Sequence, residues 1–354
     1  MIIDKSKPVL VTGANGYVAS WLVKKLLESG ITVHAAVRNP NDEKKVSHLK
    51  ELAKHSKGSI KFFKTDLLTP GSYEEAMMGC ELVFHTASPF TTVVNDPQKE
   101  LIDPALKGTE NVLNTALKVG TVRRIVLTSS CAAIYSDAID AVNSRGRQLT
   151  EEQWNTTSSL TYQPYAFSKT MAEKRAWEIA STQKQWDMVT INPSLVLGPA
   201  LNPVNTTSES EQILLNFGNG TMKMGTPKLG LGVVDVRDVA EAHYRAGFTP
   251  EAHGRYITSG HNTDFVEMGK SLLPKYGDKY PIPRKALPKW LLMIFGSLFT
   301  KLMTTKFVRN NVNIPWRADT SKIQRELGMS FRPLKETMEE AFQGLIDAGL
   351  VLPK

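Results

Sequence analysis

A tyrosine and a lysine four residues apart, Tyr165-Ala-Phe-Ser-Lys169, are the side chains in this 354-residue sequence best placed to move a proton. On a helix that spacing puts the phenol and the ammonium on one face, about one turn apart. A free phenol titrates near ~10, too high for efficient proton exchange at neutrality. A neighbouring ammonium favours the phenolate and lowers that value. Such a pair can hand a proton to a carbonyl oxygen while a hydroxyl orients the same atom. Leu127-Thr128-Ser129-Ser130 supplies the hydroxyl, closing an apolar run at the side where ligands collect in open α/β sheets. Taken alone, Tyr-x-x-x-Lys is equally a surface helical pair, and its weight comes from what accompanies it.

The companion is Thr12-Gly13-Ala14-Asn15-Gly16-Tyr17-Val18-Ala19, where a strand pattern gives way to a helical one. Gly13 permits a tight turn, and Gly16 lacks the Cβ that would keep backbone amides from a pyrophosphate. The amides and the positive helix end can then hold that anion, with Asn15, Tyr17 and Val18 beside it. The spacing departs by one residue from G-x-G-x-x-G, so its place at the start of a βαβ series carries the reading. The second strand runs into Arg38 rather than an acid. An acid there would bind a ribose 2′-hydroxyl, whereas a guanidinium suits a 2′-phosphate, so NADPH is expected over NADH. Lys45 can add charge; Lys44 reads as part of a solvated helix face.

Other chemistries find no support. The seven histidines are scattered without metal-ligand spacing, and His85 reads as structural, so no metal site is expected. Neither a G-x-S-x-G elbow nor a P-loop is present. The net charge of +8 fits a phosphate-rich cofactor or an anionic lipid surface better than nucleic acid, whose reading motifs are missing. Cys80 and Cys131 stand far apart in interior-like surroundings and read as reduced core thiols. The first residues have no secretion-signal layout, so the cytosol is expected, and the triplets at Asn155 and Asn205 are chance matches.

The elements that must position these groups alternate in the first half. Apolar runs at Val9–Thr12, Thr32–Val37, Ile60–Phe63, Leu82–His85, Arg124–Leu127 and Met188–Asn192 are interleaved with helical patterns. The longest of those patterns are Gly16–Glu28, Pro97–Val119 and Tyr165–Ala180. This order predicts an α/β fold: a Rossmann-type doubly wound parallel sheet, with a smaller, discontinuous substrate-binding region in the C-terminal half. Residues 1–193 form the cofactor part, with 233–258 returning to it, Val233–Val236 as a strand and Asp238–Tyr244 as a helix. Residues 194–232 and 259–354 mainly serve the substrate. The apolar stretch Trp290–Phe299 is too short to span a bilayer, which takes roughly twenty residues. It reads first as a pocket-covering or subunit-contact helix and second as a membrane-surface one.

Together these residues resemble the extended short-chain dehydrogenase/reductases, specifically the dihydroflavonol reductase and cinnamoyl-CoA reductase-like branch. The resemblance covers nearly the whole chain. It rests on Val11-Thr-Gly-Ala-Asn-Gly-Tyr-Val, Val37-Arg38-Asn-Pro, Lys64-Thr-Asp66-Leu67, Val83-Phe-His-Thr-Ala87-Ser88-Pro89, Thr128-Ser-Ser130, Tyr165–Lys169, Asn192-Pro193-Ser-Leu-Val196-Leu-Gly-Pro and Val234-Asp-Val-Arg-Asp238-Val-Ala. It implies that Ser130, Tyr165 and Lys169 are catalytic and that Arg38 and Lys45 grip the 2′-phosphate. It further implies that Asp66 meets the adenine, that Ala87 lines the cofactor trough and Pro193 borders the nicotinamide, and that Leu67, Ser88, Lys169 and Val196 also bind the cofactor. Tyr135 stands where plant flavonoid reductases carry a substrate-reading Asn, and Leu160-Thr-Tyr162 replaces the Asn-Trp-Tyr of cinnamoyl-CoA reductases. A general aldehyde or ketone reductase, working on a small-molecule carbonyl as a monomer or homodimer, is therefore the expectation. Phe90, Tyr135, Gln212, Ile213 and Phe217 are the substrate-pocket candidates. Two readings stay open: a nucleotide-sugar epimerase or 3β-hydroxysteroid-type dehydrogenase, and a non-catalytic cofactor-binding interaction protein.

Overall fold

Short runs of β-branched and apolar residues form seven parallel strands because both of their faces are covered. They are β1 (Val9–Thr12), β2 (Thr32–Val37), β3 (Ser59–Lys64), β4 (Leu82–His85), β5 (Arg124–Thr128), β6 (Asp187–Pro193) and, later in the chain, β9 (Gly254–Thr258). Side chains alternate across the sheet: Val9, Val11, Val33, Ala35, Phe84 and Val126 enter one core, while Leu10, Ala36, Val83, Ile125 and Leu127 enter the other. The strand order is β3-β2-β1-β4-β5-β6-β9, and the direction of winding reverses between β1 and β4. In such sheets that switch point opens a crevice beyond the C-terminal strand ends. The computed structural model describes residues 1–89, 94–203, 209–300 and 303–353.

Helices α1 (Tyr17–Glu28), α2 (Glu43–Lys54), α8 (Val236–Phe248) and α12 (Ser321–Leu327) cover the first face. The second face carries α3 (Glu74–Met77), α4 (Asp103–Val119) and α6 (Pro164–Ser181). A five-residue π-helical turn, Gln98–Ile102, leads into α4. The remainder builds on a small sheet in which β8 (Gly230–Asp235) lies between β7 (Leu195–Leu197) and β10 (His261–Asp264). Around it pack α7 (Glu209–Gly218), α9 (Phe265–Tyr276) and α13 (Leu334–Asp347). Beside the large sheet, α5 (Ala138–Asn143) shares a cluster with Trp316, and α10 (Lys289–Phe299) packs on α11 (Thr305–Asn311). The strand expected to return at Val233–Val236 therefore joins this second sheet. Its helix, α8, does pack on α1, and β9 closes the large sheet against β6.

The N-terminal strand ends are tied by a buried cation. Arg124, with no exposed surface, makes a two-point ion pair with Asp187 at 2.8 Å for each contact. Its remaining donors reach the carbonyls of Ala246, Thr249, Pro250 and Ala252. All of the guanidinium's capacity is thus used to bind β5, β6 and the end of α8 together.

Candidate active site

At the C-terminal strand ends the glycine turn is dictated by crowding. Gly13 has φ of +61°, and a Cβ there would stand 3.1 Å from the Cα of Ala87. Thr12 Oγ1 accepts the N–H groups of Thr86 and Ala87 at 3.1 and 3.0 Å and meets His85 Nδ1 at 2.9 Å, stitching β1 to β4. Burial, with Lys169 adding to it, pushes His85 down to about 3, so it stays neutral and structural. Gly16 begins α1 with no side-chain cap and no acid in the first turn, which leaves that helix end suited to an anion. The Tyr17 phenol turns away to donate to the Gly198 carbonyl at 2.8 Å, and Trp21 Nε1 donates to Pro199 at the same distance. Asn15 and Val18 are partly accessible beside the turn.

Arg38 is exposed directly beyond β2 and has no ion-pair partner among the described residues. Lys45, also exposed, lies 3.8 Å from Asp42 on the same helix start. Beyond β3, the Asp66 carboxylate accepts the N–H of Leu68 at 2.8 Å. Leu67 packs against Gly108 of α4, where a Cβ would approach its Cγ to 2.6 Å. Pro193 is buried at the end of β6, and Val196 pairs with Val234 in the small sheet. The uncapped helix end, the crowded glycine and the unpaired guanidinium together fit a phosphorylated dinucleotide.

Two adjacent serines at the end of β5 have different uses. Ser129 donates to the buried Glu173 carboxylate, which commits its hydroxyl to the interior. Ser130 Oγ caps a short turn by accepting the Ala132 N–H at 3.1 Å, so its own O–H stays available as a donor. Opposite, α6 carries Tyr165, 41% exposed, and Lys169 one turn on. Lys169 Nζ donates to Ser88 Oγ at 2.8 Å and lies 5.7 Å from the centre of the Tyr165 ring. Loss of hydration pulls the Lys169 ammonium down to about 8. The helix enters through Gln163, a non-glycine residue at φ of +54° immediately before Pro164. That conformation is disfavoured for an L-residue and doubly so before proline, so strain sits next to the candidate phenol of Tyr165.

Residues 9–257, from β1 to near the end of β9, match the NAD dependent epimerase/dehydratase family. The chain belongs to that family. A cinnamoyl-CoA reductase (CAD2) of Medicago truncatula is 38% identical over 343 residues, covering 95% of each chain. A bifunctional dihydroflavonol 4-reductase/flavanone 4-reductase of Malus domestica is 34% identical over 98% of this chain and 91% of its own. Yeast methylglyoxal/isovaleraldehyde reductase Gre2, solved as a complex with NADPH, superposes with a TM-score of 0.76 at 26% identity, covering 97% of this chain and all of that one.

Within this epimerase/dehydratase chain the substrate candidates separate. Phe90 lies outside the described residues, as does Asn205. Tyr135 is half-buried, its ring 5.6 Å from that of Trp316, and burial raises its pKa. Ile213 is partly buried in the third core cluster, and Gln212 is exposed with Nε2 3.2 Å from Asn216. Phe217 has no accessible surface and meets Phe265 edge-on, so it is core and not pocket wall.

Sequence reasoning missed the network behind the strand ends. Glu173, wholly buried, pairs with Arg255 Nε at 2.6 Å and accepts from Asn192 Nδ2 at 2.7 Å as well as from Ser129. Asn192 in turn donates to the Ser130 carbonyl at 3.2 Å. Arg255 stacks 4.0 Å over the Trp154 ring and donates to the carbonyls of Glu151 and Gln153. A visible signal existed: Glu173 follows Lys169 by four, extending the Tyr165–Lys169 face by another turn. Among the described residues no cluster of three His, Cys, Asp or Glu could hold a metal ion, and no helix is long and apolar enough to cross a membrane.

Proposed function

We propose that this chain uses NADPH to reduce a carbonyl, whether aldehyde, ketone or dihydroflavonol-like compound, to an alcohol. The observation that carries the reading is that Lys169 donates to Ser88, next to the Ala87 that crowds Gly13, and lies 5.7 Å from the Tyr165 ring, while Ser130 follows β5 at the same C-terminal end of the sheet. When bound, the nicotinamide supplies the hydride. Tyr165 delivers the proton to the carbonyl oxygen, and the free O–H of Ser130 orients that oxygen. The Lys169 charge beside the phenol ring favours loss of that proton, and Ser88 fixes the ammonium. Arg38 and Lys45 take the 2′-phosphate, the α1 start takes the pyrophosphate, and Asp66, Leu67, Ala87, Pro193 and Val196 line the cofactor. In this reading the large sheet serves the cofactor, while the small sheet and the helices around it, with Tyr135 and Ile213, shape the substrate side. The two buried, unpaired thiols Cys80 and Cys131 support a reducing compartment, the cytosol.

The test is NADPH consumption by purified protein over a panel of aldehydes and ketones. Turnover is expected, with Tyr165→Phe lowering kcat by about 10²–10⁴-fold and leaving NADPH affinity unchanged. Tight NADPH binding without turnover on any carbonyl rejects the proposal. A preference for NADH over NADPH in titration transfers the chain to the epimerase or hydroxysteroid-type reading.

A further inference from the structure

We propose that α10 docks the protein onto membrane surfaces containing anionic phospholipid, its outer side lying in the headgroup layer. The inference is independent of the reading of the active site. Only Lys289, Gly296 and Ser297 interrupt an otherwise large and apolar helix, KWLLMIFGSLF. Its inner side is fixed: Leu292 is buried against Val308 and Val312, with Met293 and Met303 packed around them. Among the described residues nothing covers its outer side. Trp290, Ile294 and Leu298, at successive four-residue steps, are 63, 63 and 81% exposed, and Phe295 beside them is 43% exposed. Four-residue steps place these side chains in one stripe along two turns. Even the one charge of the helix is turned inward, because Lys289 Nζ donates to the carbonyls of Arg309 and Val312 at 3.0 and 2.7 Å. A contiguous bare apolar stripe of this kind marks an interaction surface.

The charge of the segment that carries the stripe identifies the partner. Residues 279–318 contain eight Lys and Arg and no Asp or Glu. The rest of the chain then holds 35 residues of each sign, so the entire surplus of +8 lies in the segment that carries α10. Lys279, Arg284, Lys285, Lys306, Arg309 and Arg317 are exposed, and among the described residues none is paired with a carboxylate. Cations that flank in sequence an apolar helix rich in Trp, Phe and Leu, with Lys306 and Arg309 on the α11 that packs against it, match an anionic interface, where area burial and electrostatic attraction act together. A second copy fits poorly, since a two-fold contact through α10 would set this cationic segment against itself. Eleven residues rise only about 16 Å, half the thickness of a hydrocarbon core, so the helix lies along the surface.

The test is flotation of the full chain with vesicles of phosphatidylcholine alone or mixed with phosphatidylserine, at low and high salt. The protein is expected to float with the anionic vesicles at low salt and to be released as salt rises. Ile294→Glu with Leu298→Glu should weaken that binding by at least about tenfold, through loss of buried apolar area. Lys285→Glu with Arg309→Glu should weaken it and flatten its salt dependence. All of these positions are exposed, and retained NADPH affinity and thermal midpoint certify folding. Absence of flotation with either vesicle overturns the proposal, as does binding that neither double variant alters. So does a dimer in sedimentation that Ile294→Glu with Leu298→Glu dissociates, because the stripe then belongs to a second copy.

Discussion

Lys169 holds its ammonium 2.8 Å from Ser88 Oγ in poorly hydrated surroundings, and its pKa falls from the ordinary 10.5 to about 8. The direction fixes the pH response. Desolvation disfavours the charged form, so the Lys169 cation, which the proposed mechanism sets beside Tyr165, is present below about 8 and is lost as the pH rises through that value. The kcat/KM for NADPH, which reports the free enzyme, is therefore expected to fall on the alkaline side with an apparent pKa near 8. A profile flat to pH ~10 removes Lys169 from the proton-transfer step. What was legible in the sequence at this scale is the placement that depends on spacing alone. Tyr165 and Lys169 need one helical turn, and Gly13 needs a turn where no Cβ fits. Glu173 needed more than spacing, because a carboxylate on a helix usually faces water. Its partner Arg255 stands 82 residues on, and nothing local announces that both are buried.

Among elements, α6 is the one on which most depends. Its outer turns present Tyr165 and Lys169, and the same face, one turn further, plunges Glu173 into contact with β6 through Asn192 and with β9 through Arg255. Glu173→Gln leaves the Arg255 guanidinium buried without a countercharge, so a loss of about 3 kcal/mol in denaturant unfolding is expected. Adding Arg255→Met should restore part of that loss, since removing both charges ends the uncompensated burial. If the double variant is as unstable as the sum of the two single ones, the pair is not the coupling element. The parallel strands and their helices were legible because covered strands read as short apolar runs between helical patterns. The destination of β8 was not. Its valines suit either sheet, and only the three-residue β7, placed directly after Pro193, gives them a different neighbour.

Over the whole molecule, polar groups concentrate at the two ends of the large sheet. The C-terminal end carries the glycine turn, Ser130, Tyr165 and Lys169, while the N-terminal end is gathered around Arg124. Arg124→Met should cost about 3 kcal/mol by stranding four carbonyls and Asp187, and kcat per folded molecule should be unchanged. A large fall in kcat with stability intact would show that the two ends communicate. The placement of Arg124 has an evolutionary corollary. Because the knot around Arg124 lies at the opposite end of the strands from the candidate site, exchanges among exposed residues there leave this tie between β5, β6 and α8 untouched. A lineage of such chains can accordingly vary those residues while this tie stays still.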